Sequence, residues 1–180
     1  MALPLTYKSG NCFINSFINK RHTYKDKDLK LVIGSIGFNG WFEFGGKDWK
    51  LKDFLKRHEV GSVCWDAHCW LEDAEGNIYD FAFEDYSEVA RIQTRKPIRH
   101  HGLIEGQSKA WCEERGLTYV PADAETSKAI FISIFKWLLE VEANLISGKA
   151  TWFGRGEFGM LQTPLSMSTN PKDLLGLVRC

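Results

Sequence analysis

A chain of 180 residues is long enough to bury a substantial core in a single domain spanning 1–180, and its 23 Lys and Arg balance 23 Asp and Glu. That balance excludes a global field able to draw in nucleic acid or an anionic membrane surface. No hydrophobic run approaches the ~20 residues that span a bilayer, and the segment from Met1 to Tyr7 is too short and too quickly polar for a signal peptide.

In chain order, the first predicted element is a helix that starts at Cys12 and runs to about Arg21. Asn11 is a good N-cap, and Phe13, Ile14, Phe17 and Ile18 form one apolar stripe. Cys12 then sits at or near the first helical position, where the positive end of the helix dipole favours a thiolate and unpaired backbone N–H groups can stabilise an oxyanion. Considered by itself, Cys12 reads first as a small buried apolar residue, as free cysteines usually are.

Leu29–Phe38 and Trp41–Phe44 flank Asn39-Gly40, a strong signal for a two-residue hairpin. A short helix is expected over Asp48–His58, from the spacing of Trp49, Leu51, Phe54 and Leu55. A second hairpin follows. Gly61–Leu71 is rich in Val, Trp and Cys, Glu72–Asn77 carries turn residues, and Ile78–Phe83 is again β-prone.

With its apex at Ala74, this hairpin sets His68 directly opposite Asp80, with their Cβ atoms about 4.5–5.5 Å apart on one face. The carboxylate can then accept from one ring nitrogen and leave the other as a base of defined tautomer. A one-residue slip would separate the two side chains onto opposite faces. Trp65, Trp70, Tyr79 and Phe81 are placed to keep water from the pair and raise its electrostatic worth. Without them, an ordinary surface ion pair satisfies the same spacing.

Farther along, a strand is expected through Val89–Thr94. A helix over Gln107–Arg115 is stopped by Gly116, and a long helix over Ala124–Ser147 is ended by Gly148. The stripe Ile130, Ile134, Leu138, Val141 and Leu145 marks that last helix as core-packing, and Glu140 and Glu142 argue against a membrane role. From Ala150 the chain becomes rich in Gly, Ser, Thr and Pro, so 150–180 reads as a covering loop or substrate lid of the same domain.

The five cysteines, Cys12, Cys64, Cys69, Cys112 and Cys180, are odd in number and scattered. This argues for a reducing compartment and a cytoplasmic location, including the cytosol of a host cell. Cys64, His68 and Cys69 make a poor metal set. Residues four apart on a strand are separated by about 13 Å, Cys69 faces the other way, and neither CxxC nor HxxxH occurs. The His100-His101 pair follows a basic stretch and reads as a solvated loop. No metal and no cofactor is expected.

The order Cys12, His68, Asp80 resembles the transglutaminase-like and papain-like cysteine enzymes, and the run His68-Cys-Trp-Leu-Glu-Asp-Ala-Glu-Gly-Asn-Ile-Tyr-Asp80 carries the closest match. The resemblance covers the chain from its start to about Phe83. It implies an α+β fold in which Cys12 begins a helix packed on an antiparallel sheet whose neighbouring strands carry His68 and Asp80.

The implied activity is thioester-forming attack on an amide of a protein, peptide or small molecule, with Cys12, His68 and Asp80 as catalytic residues. Water as acceptor makes a peptidase, amidase or deamidase, and an amine makes a transferase. A catalytically idle binding module of the same fold is the further alternative. The papain-type Gln ahead of the nucleophile is missing. Tyr7, Ser9 and Asn11 are the available substitutes for its oxyanion donor.

Overall fold

A computed structural model describes residues 12–42, 67–82 and 86–147. The expected helix over Asp48–His58, Asn11, Tyr7, Ser9, Trp65, Cys64, Cys180 and the 150–180 tail lie outside the described residues.

Helix α1 (Cys12–Ile18) carries the expected cysteine in its first described turn and continues as a π-helical turn over Asn19–Thr23. All seven α1 residues are buried, the polar Asn15 and Ser16 among them. Each donates to a main-chain carbonyl. Asn15 Nδ2 donates to Phe81 O at 2.7 Å, and Ser16 Oγ donates to Cys69 O at 3.0 Å. Burying a polar side chain is tolerable only with such partners. Here they also lock the helix to the sheet.

Strand β1 (Lys30–Phe38) turns at Asn39-Gly40 into β2 (Trp41–Phe42), with φ of 49° and 84° at the two turn residues. Positive φ at both positions is what a primed two-residue turn requires, and Asn-Gly meets it with little strain. Strands β3 (His68–Glu72) and β4 (Ile78–Asp80) form the second hairpin.

Helix α2 occupies Tyr86–Thr94, where a strand is expected over Val89–Thr94. The β-branched residues there suggest a strand, but Tyr86 and Ala90 are fully buried one helical turn apart, and Glu88 pairs with Arg91 at 2.6 Å. Helical spacing of burial overrides local β propensity.

Two strands lie where no strand is expected, β5 (Ile104–Gln107), which takes Gln107 from the start of the expected helix, and β6 (Leu117–Pro121). Between them, helix α3 (Lys109–Glu114) is capped by Ser108, and Gly116 stops it at φ 85°. Helix α4 (Ala124–Ile146) is capped by Asp123, which accepts from Thr126 N at 2.9 Å.

The fold is α+β with an antiparallel sheet, in the strand order β2-β1-β3-β4-β5, and β6 also pairs with β1. Gly34 of β1 has His68 as its partner on one side and Pro121 on the other, so β3 and β6 flank β1 on opposite edges. The main core gathers α1, α4 and the inner residues of β1, β3 and β6. A smaller cluster of Leu29, Leu71, Tyr79 and Phe81 packs beside Tyr24. No described helix is long and apolar enough to cross a membrane.

Candidate active site

The hairpin register differs from the expected one. Leu71 pairs with Tyr79 and Glu72 with Ile78, which on continuation puts Asp80 opposite Trp70, and His68 opposite Ala82. The apex therefore moves from Ala74 to Glu75. The cause is the turn chemistry. Gly76 adopts φ +81° and donates to Asp73 O at 3.0 Å, while Asp73 Oδ1 accepts from the N–H groups of Glu75 and Asn77. A turn of this kind closes a three-residue loop with a left-handed glycine. The offset from the expected register is two residues, so His68 and Asp80 keep a common face as diagonal neighbours.

They meet across that diagonal. His68 Nε2 lies 2.6 Å from Asp80 Oδ2, with both side chains fully buried. Two further groups bind the carboxylate. Tyr119 donates its hydroxyl to Oδ2 at 2.8 Å, and Ala82 N donates to Oδ1 at 3.0 Å. A buried charge pair is costly unless its remaining lone pairs are satisfied, and these donors satisfy them.

Cys12 lies beside the pair. Its Sγ is 3.9 Å from Ala67 O, the carbonyl one residue before His68. Burial pulls the His68 pKa down. The Asp80 charge and hydrogen bond, reinforced by Cys12, outweigh it and push the value up to about 10. Of the three residues singled out by the sequence, His68 and Asp80 are thus in contact, and Cys12 lies near them through Ala67.

The aromatic surround is only partly the expected one. Trp70 stacks on His68 with centroids 5.9 Å apart and planes at 22°, and Tyr119 packs on Trp70 at 5.1 Å. Tyr79 and Phe81 instead belong to the smaller cluster, because strand alternation points them away from Asp80. Tyr119 and Tyr86 take their place, and neither is singled out by the sequence. For Tyr119 a signal exists, since Leu117-Thr-Tyr-Val-Pro121 alternates and buries Leu117 and Tyr119 together.

Gly34 makes room for this packing. A Cβ there would lie 2.2 Å from Val120 O and 2.8 Å from the far edge of the Trp70 indole.

Among the described residues no group of three His, Cys, Asp or Glu side chains is arranged to hold a metal. Cys69 is buried beside α1, and burial and the neighbouring Cys12 raise its pKa well above an ordinary thiol's. His100 packs against Tyr86 and Trp111, with Nε2 2.9 Å from Gly102 O, and His101 is exposed.

No protein-family model and no curated protein matches this chain. A crystal structure described only as that of a genomics target aligns with 83% of this chain and 69% of its own, at 17% identity and a TM-score of 0.39. At that TM-score the likeness specifies neither fold nor activity.

Proposed function

We propose that this protein is a cysteine-dependent amide hydrolase, with a transglutaminase-like or papain-like core and Cys12, His68 and Asp80 as its catalytic triad. The observation that carries the reading is the buried His68–Asp80 pair at 2.6 Å, with Cys12 Sγ 3.9 Å from the carbonyl of the residue that precedes His68.

In this reading His68 takes the proton from Cys12 and becomes an imidazolium. The thiolate attacks the carbonyl carbon of a peptide, protein side-chain amide or small amide, while first-turn N–H groups of α1 stabilise the oxyanion. The imidazolium gives its Nδ1 proton to the leaving amine as the C–N bond breaks, and a thioester remains. His68 then takes a proton from water, hydroxide attacks the thioester, and Cys12 leaves as the thiolate. Asp80 holds Nε2–H throughout and stabilises the charged ring. An amine in place of water would make the same acyl-enzyme a transferase intermediate. A cytoplasmic setting would keep the thiol reduced.

Iodoacetamide labelling at pH 6–7 tests the reading, with modified residues located by mass spectrometry. Cys12 should react selectively, and His68→Ala should abolish the preference. Reaction that requires pH above ~8.5, as for a free thiol, would exclude an activated nucleophile. A catalytically idle binding module is favoured by one observation, the enclosure of the site, where Cys12 is 8% exposed and His68 0%. Failure to label at neutral pH supports that second reading. Screening candidate proteins by mass spectrometry for a cleaved bond or a one-dalton deamidation would then define the substrate.

A further inference from the structure

His68 Nε2 and the Tyr119 hydroxyl both converge on one atom, Asp80 Oδ2, at 2.6 and 2.8 Å. Tyr119 reaches it from β6, although β1 and β3 separate β6 from β4 in the sheet. A contact over that span requires the sheet to curl, and Tyr119, Asp80 and His68 are all buried where it closes. A phenol brought this far to an oxygen already engaged by an imidazole does more than fill space.

We propose that Tyr119 is a positioning residue of the triad, whose hydroxyl holds Asp80 Oδ2 in line with His68 Nε2 and moderates the carboxylate's hold on the imidazole proton. The inference rests on the triad reading above. A hydrogen bond from a neutral donor spreads the negative charge of Oδ2, so the oxygen facing His68 is a weaker base than an unshared carboxylate oxygen. Because His68 must release its proton to the leaving group, too strong a hold would slow that step.

The other titratable groups around the pair are Cys12 from α1, Tyr86 from α2, and Cys69 and Cys112 from β3 and α3. Burial and the Asp80 anion raise the pKa values of Tyr86 and Tyr119 well above the ordinary phenol's. Both therefore remain neutral across the working range, and Tyr119 remains a donor. Burial, followed by Asp80, pushes the Cys112 thiol up to about 12. Cys69 is held protonated by burial and by Cys12.

The test is the pH dependence of Cys12 alkylation by iodoacetamide, followed on the full chain, whose upper limb reports loss of the His68 proton. Tyr119→Phe keeps the ring against Trp70 and removes only the donor. It should move the upper limb to higher pH by about half a unit or more. Replacing Tyr119 with 3-fluorotyrosine, a stronger donor of the same shape, should move it to lower pH.

Opposite shifts support the proposal, and an unmoved limb in the fluorotyrosine protein overturns it, even if Tyr119→Phe fails to fold. Failure of the triad reading has a different signature. The unmodified protein would then show only ordinary thiol titration, insensitive to His68→Ala.

Discussion

His68 and Asp80 approach to 2.6 Å from diagonal positions on β3 and β4, with Trp70 opposite Asp80 when the Leu71–Tyr79 register is continued. The diagonal leaves space for the Trp70 indole to stack on the imidazole. It also opens Asp80 Oδ1 to the Ala82 N–H at 3.0 Å. The carboxylate is therefore anchored at both oxygens, and its orientation does not depend on His68 alone.

That anchoring ranks the triad variants. Cys12→Ala removes the nucleophile and should abolish turnover, and His68→Ala should do nearly the same. Asp80→Asn keeps a hydrogen-bonding group at the site but loses the charge that favours imidazolium. It should cost on the order of 10²–10⁴-fold in kcat/KM and hurt less than loss of Cys12. Kinetics on a confirmed amide substrate check the order, and Asp80→Asn as damaging as Cys12→Ala would contradict the supporting role.

Stability should fall toward alkaline pH through the same pair. The folded-state pKa of His68, about 10, exceeds the ~6.5 of an unfolded imidazole, so the folded protein holds its proton more tightly. The resulting stabilisation is complete below pH ~6.5 and is lost as pH rises through the window to about 10. Urea unfolding across pH 6–10.5 should show this decline, and His68→Gln should flatten it. Parallel slopes in the two proteins would place the charge elsewhere.

Glu142 should act in the opposite direction. Its nearly buried carboxylate meets Arg21 Nε at 2.7 Å and His22 Nε2 at 2.6 Å, tying α4 to the turn after α1. Burial raises its pKa, but the hydrogen bonds and charges of Arg21 and His22 outweigh burial and leave it lowered. The stabilisation is present above the usual glutamate value of ~4.3 and disappears as pH falls through the lower folded one. Glu142→Gln should cost about 1–3 kcal/mol at pH 7 and much less at pH 3, as read from urea midpoints.

Gly34→Ala should be among the most damaging single-methyl additions. The added carbon would meet the Val120 carbonyl oxygen and the Trp70 ring at distances that demand backbone movement. A loss of about 1–3 kcal/mol or more is expected, with faster alkylation of other buried cysteines. Thermal melts and labelling maps read both, and an unchanged melting temperature would contradict the tight crossing of β3, β1 and β6.

Gly76→Ala isolates a different cost. A Cβ there meets nothing within 4 Å, so only the left-handed φ of +81° opposes it. Gly76→Ala should destabilise by roughly 1–2 kcal/mol, and Gly76→Asn by less, because asparagine tolerates that conformation. Neutral-pH labelling of Cys12 should survive in Gly76→Asn. Its loss would indicate that the turn, more than the surrounding packing, fixes the His68–Asp80 register.

Local chemistry sufficed for several elements of this protein. Asn39-Gly40 specified its turn, the stripe Phe13, Ile14, Phe17 and Ile18 the first helix, Gly116 the end of α3, and the stripe from Ile130 to Leu145 the long helix. These features depend on φ preferences, caps and periodicity within a few residues. The common face of His68 and Asp80 was also legible, because strand alternation has a period of two and an even shift in register preserves it.

Tertiary structure decided the rest. Burial of Tyr86 and Ala90 on one side made a helix of a β-branched segment, and pairing with β1 and β4 made strands of Leu117–Pro121 and Ile104–Gln107. Tyr119 reaches Asp80 only because the sheet curls, a long-range consequence of packing that no window of neighbouring residues encodes. The sequence by itself determined which side chains could form a triad, whereas the folded sheet determined their spacing, their enclosure and the phenol that joins them.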